Sequence, residues 1–134
     1  MLVFEKVDHI GIAVRNLDLA MNLYKLMGCK IGKSEEVPEM GVRVAFVPIG
    51  ETRLELLEPI SQESVIARFI EKRGEGVHHL CFLVKDIHAM IKQFKKNNFQ
   101  LIYEEPKIGS ENSLVTFVHP KSTCGVLIEL RQAC

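Results

Sequence analysis

The chain repeats itself, and the repeat constrains its fold more than any other feature. Val7-Asp8-His9-Ile10-Gly11-Ile12-Ala13-Val14-Arg15-Asn16-Leu17 returns as Val77-His78-His79-Leu80-Cys81-Phe82-Leu83-Val84-Lys85-Asp86-Ile87, at a constant offset of 70 residues. Val7 matches Val77, His9 matches His79, Val14 matches Val84 and Leu17 matches Ile87. Further on, Met21 matches Ile91, Tyr24 matches Phe94, and Gly28 meets Asn98. Either of that last pair suits the positive φ at a helix C-terminus. At 134 residues the chain is too short for two independent cores of ordinary size. The copies therefore read as modules of one domain over 1–134: module one about 1–60, a linking helix about 61–73, and module two about 76–134.

Each copy opens with alternating apolar residues, the pattern of a strand. Asn16 and Asp86 follow as helix N-caps. Apolar residues at helical spacing come next: Leu17, Ala20, Met21 and Tyr24 in one copy, Ile87, Met90, Ile91 and Phe94 in the other. Strand-like runs then fill each copy. The first has Val42 to Val47 and Thr52 to Leu57 about a Gly50-Glu51 turn; the second has Phe99 to Tyr103, Leu114 to Val118 and Val126 to Leu130. Pro38, Pro59, Pro106 and Pro120 punctuate them. Ser61 to Arg73 reads as the linking helix, with Val65, Ile66 and Phe69 as its apolar stripe and Gly74 and Gly76 ending it. The fold class is α+β, two tandem βαβββ modules related by an internal pseudo-twofold.

Composition narrows the function. Hydrophobic residues make up 47% and charged residues 25%, which excludes a disordered chain. The 17 basic and 17 acidic side chains balance, and no Lys/Arg cluster carries interleaved aromatics, so no nucleic-acid partner is expected. No apolar run approaches the ~20 residues of a membrane span. Met1-Leu2-Val3-Phe4-Glu5-Lys6 lacks the pattern of a secretory leader. Cys29, Cys81, Cys124 and Cys134 form no CxxC pair, which excludes a zinc ribbon or a thioredoxin motif. Cys81, within Leu80-Cys81-Phe82-Leu83-Val84, reads as a core thiol, and a reduced cytoplasmic protein is expected.

Strand alternation puts His9 on one face with Val7, Gly11 and Ala13, while Ile10, Ile12 and Val14 face a helix. His79 likewise shares a face with Val77, Cys81 and Leu83. Each copy also ends in a strand with an embedded acid, Leu54-Glu55-Leu56-Leu57 and Leu127-Ile128-Glu129-Leu130. A carboxylate among such neighbours is costly unless paired or bound to metal. A single strand histidine is commonly a hydrogen-bonded structural residue, and Glu55 alone fits a solvated face. Recurrence at equivalent places is what packing does not require. His9, Glu55, His79 and Glu129 thus form a candidate N2O2 set for a divalent metal. His78 points to the opposite face and His88 sits on a helix surface; His119, before Pro120, is structural or at a pocket mouth.

These residues resemble the vicinal oxygen chelate superfamily and, within it, the methylmalonyl-CoA epimerase family. The resemblance is carried by Asp8-His9-Ile10-Gly11-Ile12-Ala13-Val14, Pro38-Glu39-Met40-Gly41-Val42, Leu54-Glu55-Leu56-Leu57-Glu58-Pro59, Gly76-Val77-His78-His79-Leu80-Cys81, Glu105-Pro106-Lys107-Ile108-Gly109, and His119-Pro120-Lys121 through Gly125-Val126-Leu127-Ile128-Glu129-Leu130. They run from end to end and in order. The resemblance implies a curved, partly open barrel-like sheet around a metal site. It implies cobalt(II), with zinc, nickel or manganese as alternatives, held by His9, Glu55, His79 and Glu129. It implies epimerisation at C2 of a CoA thioester through an enolate, in a homodimer. Inversion needs two acid/base groups. Glu129 is the candidate for one. Relatives that place a second Glu on the strand after Gly41 differ from this chain, where Gly41-Val42-Arg43-Val44-Ala45-Phe46 holds no acid. Glu55 or a water then serves, or the chemistry differs. Lys121 is the candidate for the substrate carboxylate or the CoA phosphates, against its reading as a solvated lysine. The competing functions are a glyoxalase I-like lactoylglutathione lyase and a non-catalytic small-molecule-binding member, which would lack the ligand set.

Overall fold

The structure, a computed structural model, describes residues 4–133. The Met1-Leu2-Val3 stretch examined for a leader and Cys134 lie outside them. The chain forms two compact units. One is His9–His78, and the rest of the described chain forms the other. The division falls inside two strands, immediately before His9 and immediately before His79.

The first module runs β1 (Phe4–Ala13), α1 (Leu17–Leu26), β2 (Glu35–Val37), β3 (Val42–Ile49) and β4 (Thr52–Pro59), then α2 (Val65–Arg73). Its strands are ordered β2-β3-β4-β1. β1 and β4 are parallel, with Gly11 opposite Glu55 and Ala13 opposite Leu57, and β3 runs antiparallel to β4. The two faces of this sheet are covered by different helices. Ile12, Leu54 and Leu56 turn with Ala45 and Val47 toward Leu17 and Ala20 of α1. Ala13, Val44 and Leu57 turn the other way, toward Ile66 and Ile70 of α2.

The second module runs β5 (Gly76–Val84), α3 (Ile87–Lys96), β6 (Lys107–Ile108), β7 (Leu114–Val118) and β8 (Ile128–Gln132), ordered β5-β8-β7-β6. Here too the first and last strands are parallel, with Cys81 opposite Glu129 and Leu83 opposite Arg131. Val84, Val118 and Leu130 pack beneath Ile87, Met90 and Ile91 of α3. The opening residues of β1 belong to this unit: Phe4 stacks on Phe82 at 4.5 Å, and Asp8 pairs with Arg131.

Capping explains why both module helices start where they do. The Asn16 side chain accepts from the Leu19 N–H and that of Asp86 accepts from the Ala89 N–H, each at 3.0 Å. A second anchor also repeats. Glu58 Oε2 accepts from the Leu17 N–H and Gln132 Oε1 from the Ile87 N–H, both at 2.8 Å, tying each module's last strand to its helix. Gly28 and Asn98 take positive φ just beyond the two helices, as their pairing in the repeat predicts.

Several boundaries differ from the sequence reading. The linking helix begins at Val65, because Ser64 rather than Ser61 caps it. Val65 is exposed and Ile70 takes its place in the buried stripe. Phe99 to Tyr103 is not a strand: Leu101 makes one isolated bridge to Val118, while the ladder partner of β7 on that side is Lys107–Ile108. β2 lies at a module edge and carries two acids, so no apolar alternation marks it. β8 begins at Ile128, two residues late, because Cys124 and Gly125 both take positive φ in the preceding turn.

Candidate functional site

The repeat delivers one imidazole and one carboxylate to corresponding places in each unit. In the first, His9 Nε2 lies 3.6 Å from Glu55 Oε1. In the second, His79 Nε2 lies 3.3 Å from Glu129 Oε1. Both histidines are buried, and the carboxylates are 18% and 11% exposed. These are long for hydrogen bonds, whose N···O mode is about 2.9–3.0 Å. They are close to the separation of two donors that each sit ~2.1 Å from one ion at 90–109°, roughly 3.0–3.4 Å. His9, His79 and Glu129 each offer a buried ligand atom. Imidazole with carboxylate is the donor chemistry of divalent zinc, cobalt, nickel or manganese, so the residues fit the implied metal.

The strands prepare both carboxylates in the same way. Glu55 has Gly11 on one neighbouring strand and Phe46 on the other. Glu129 has Cys81 and Phe117. Each carboxylate thus has a small residue opposite it on one neighbouring strand and an aromatic residue opposite it on the other. The His79 ring stands edge-on to Phe117 at 6.3 Å. Arg53 lies over the Phe46 ring at 4.2 Å.

Other sequence-predicted residues fall elsewhere. His78 packs edge-on against Phe69 of α2 at 4.9 Å, a structural role. His88 is exposed on α3. His119 Nδ1 accepts from the Lys121 N–H at 3.0 Å, capping a single helical turn, and Lys121 is exposed. Cys81 is fully buried, as expected of a core thiol. Sequence reasoning missed two features. One is the carboxylate of Glu58, which carries Arg43 at 3.1 Å as well as the start of α1. The other is the buried pair Asp8–Arg131, at 3.2 Å with both residues under 10% exposed. Its signal was a charged residue at the strand position where the first module has Leu57.

The pattern of the glyoxalase/bleomycin resistance protein/dioxygenase superfamily matches residues 8–117, most of the chain. The chain belongs to that superfamily. Mitochondrial methylmalonyl-CoA epimerase of Homo sapiens is 41% identical over 130 residues, spanning 96% of this chain and 74% of that protein. Ethylmalonyl-CoA/methylmalonyl-CoA epimerase of Cereibacter sphaeroides is 38% identical, spanning 95% and 97%. Among solved structures, Streptomyces coelicolor methylmalonyl-CoA epimerase in complex with 2-nitronate-propionyl-CoA superposes with a TM-score of 0.90 at 35% identity, covering 98% of this chain and 96% of that one. The fold is therefore the superfamily's α+β arrangement of βαβββ modules, and the chain is an enzyme of the epimerase kind. No described helix is long and apolar enough to cross a membrane.

Proposed function

We propose that this superfamily member epimerises methylmalonyl-CoA at C2, with one divalent metal, cobalt(II) first, held by His9, Glu55, His79 and Glu129. The observation that carries the reading is the His–carboxylate pair at corresponding places in both modules of a chain whose relatives are methylmalonyl-CoA epimerases. Bound metal supplies Lewis-acid stabilisation for the negative charge that develops on the thioester oxygen.

The chain's own residues move the proton. Glu129 takes the C2 proton from one face and is left as the carboxylic acid. The opposite face must then receive a proton, from Glu55 or from a water it holds, and the CoA ester leaves as the other epimer. A proton-transfer group of this kind is worth ~10²–10⁴-fold. The aromatic neighbours Phe46 and Phe117 keep bulk water from the carboxylates. Lys121, exposed beside the His119-Pro120 turn, supplies a cation for the substrate carboxylate or the CoA phosphates. Cys29, Cys81 and Cys124 are in no disulfide, which suits work in a reducing cytoplasm, and we take the working form to be a homodimer.

The test offers cobalt-loaded protein methylmalonyl-CoA and the glutathione hemithioacetal of methylglyoxal side by side in deuterium oxide. Deuterium entering C2 of the CoA ester, with no conversion of the hemithioacetal, is the expected result. The reverse preference overturns it in favour of a lactoylglutathione lyase. Elemental analysis that finds no metal in the loaded protein removes the ligand set.

A further inference from the structure

We infer that Arg53 receives the free carboxylate of the substrate's acyl group and so selects malonyl-type CoA esters over esters that lack this acid, an assignment that rests on the epimerase reading above and deepens it. Arg53 is the Cα partner of His9 on the parallel neighbouring strand, and it lies two residues before Glu55 on β4. Neighbouring strands are about 4.8 Å apart, and residues two apart along a strand share a face. The arginine is therefore rooted on the same sheet face as the imidazole and the carboxylate of the first module. It is half-buried there.

The side chain also leans along the strand toward Glu55. Across the β3–β4 pairing Arg53 stands opposite Pro48, and Phe46 stands opposite Glu55. The guanidinium nevertheless lies over the Phe46 ring, at 4.2 Å. It thus meets a ring rooted at the level of Glu55 rather than at its own. The ring face attracts and orients the cation. That contact uses none of the guanidinium's N–H donors, whose planar fork matches the two oxygens of a carboxylate.

The repeat shows that the fold does not require this cation. Glu55 and Glu129 correspond, and two residues before Glu129 the second module has Leu127. Both modules supply a histidine and a carboxylate, and only the first adds an arginine at this place. A malonyl-type acyl group has the same asymmetry, with a neutral thioester on one side of C2 and a charged acid on the other. Charge points the same way. Removal of the C2 proton places a second negative charge on an acyl group that already carries one, beside the Glu55 carboxylate. A cation on the acid offsets that repulsion, more strongly in a half-buried setting than in open water. The phosphates of CoA are the other anions an arginine could meet, and this assignment leaves them to Lys121.

Isothermal titration of the cobalt-loaded full chain with malonyl-CoA, propionyl-CoA and CoA tests this, since epimerisation changes none of the three. Arg53→Leu installs the second module's residue. Its Kd for malonyl-CoA is expected to rise ~10–100-fold, the loss of a charge-assisted pair, with the Kd values for propionyl-CoA and CoA unchanged. Arg53→Lys keeps the charge without the fork and should recover part of the loss. A rise shared by all three ligands assigns Arg53 to the phosphates or to the fold and overturns the inference. An unchanged Kd for malonyl-CoA overturns it too. Should Arg53→Leu not fold, Arg53→Lys carries the test: a smaller loss confined to malonyl-CoA supports the assignment, and a shared loss or none overturns it. Deuterium exchange at C2 of methylmalonyl-CoA keeps the two readings apart. Exchange in the wild type with undiminished malonyl-CoA affinity in Arg53→Leu removes Arg53 and leaves the epimerase standing, whereas a wild type without exchange overturns both.

Discussion

Leu57 and Arg131 occupy the same place in the two modules, two residues beyond the carboxylate and on the same strand face. Leu57 is buried beneath Ile66 and Ile70 of α2. Arg131 has no such helix in its own unit and instead pairs with Asp8 at 3.2 Å. Its Nε is buried without a hydrogen-bond partner among the described residues. The comparison teaches what the repeat preserves and what it releases. The His–carboxylate pair, its small and aromatic neighbours, the N-caps and the strand-to-helix anchors recur. The surroundings diverge: Arg53, two residues before Glu55, is half-buried over the Phe46 ring, whereas Arg131, two residues after Glu129, is buried against Asp8. The proposed division of the proton transfer between Glu129 and Glu55 rests on these unequal settings of equal side chains.

The sharpest test of that division is at the carboxylates. Glu129→Gln, nearly isosteric, should keep the fold and lose ~10²–10⁴-fold of C2 deuterium exchange. Glu55→Gln should lose less, because an amide oxygen still ligates. Mass spectrometry of the CoA ester reads both rates, and metal content is expected to persist in both. Equal and small losses would place the base outside the pair.

Exchanging the diverged residues comes next. Arg131→Leu gives the second module the first module's residue and removes the cation from buried Asp8. A loss of about 3–5 kcal/mol is expected in urea unfolding, with much of it recovered by adding Asp8→Asn. Arg15→Ala, at the exposed pair with Glu75, should change stability by no more than ~1 kcal/mol. If Arg131→Leu alone is neutral, the ion pair is not what replaces α2 in that unit.

The recurrent features should respond alike. Asn16→Ala and Asp86→Ala each remove one N-cap hydrogen bond of the same length, and each should cost about 1 kcal/mol. A large difference in midpoint between the two would break the equivalence of the modules.

The smallest effect belongs to a pair that joins α3 to the segment after it. The Lys95 ammonium, 2.7 Å away, holds the Glu104 carboxyl below its ordinary value of 4.5, and Glu104 in turn raises Lys95 above 10.5. A lowered acid stabilises above its unfolded pKa and loses that as pH falls through the folded one. A raised base stabilises below its unfolded pKa and loses that as pH rises. The contribution is therefore present between about pH 4.5 and 10.5 and fades at either side. Both groups are exposed, so Glu104→Gln should shift the melting temperature slightly at low salt and not at all at high salt.

Much of this architecture is legible in the residues themselves. Helix starts were readable because a cap is a local event: Asn16 and Asp86 act on N–H groups three residues away. The inward helix stripes were readable because burial imposes a period of 3.6. His9, Glu55, His79 and Glu129 were readable because a recurring polar residue among apolar ones has no packing reason to recur. Phe99 to Tyr103 misled because aromatic and branched residues favour strands, yet this segment meets β7 through the Leu101 bridge, hydrogen bonds such as Ile102 N–H to Phe117 O and the Tyr103–Phe117 ring contact, without a ladder.

The sequence alone thus determined whatever depends on neighbours along the chain: the two modules, their helices, and the His and Glu that each contributes. Tertiary structure decided what depends on neighbours in space. It set Glu58 on the α1 N-terminus and Asp8 on Arg131, 123 residues apart. It put α2 over Leu57, and it left Leu19, Leu23, Leu26 and Met27 in solvent. The reason is that spacing along a strand or helix fixes only which residues share a face, whereas what covers that face is settled when segments distant in the chain pack against it.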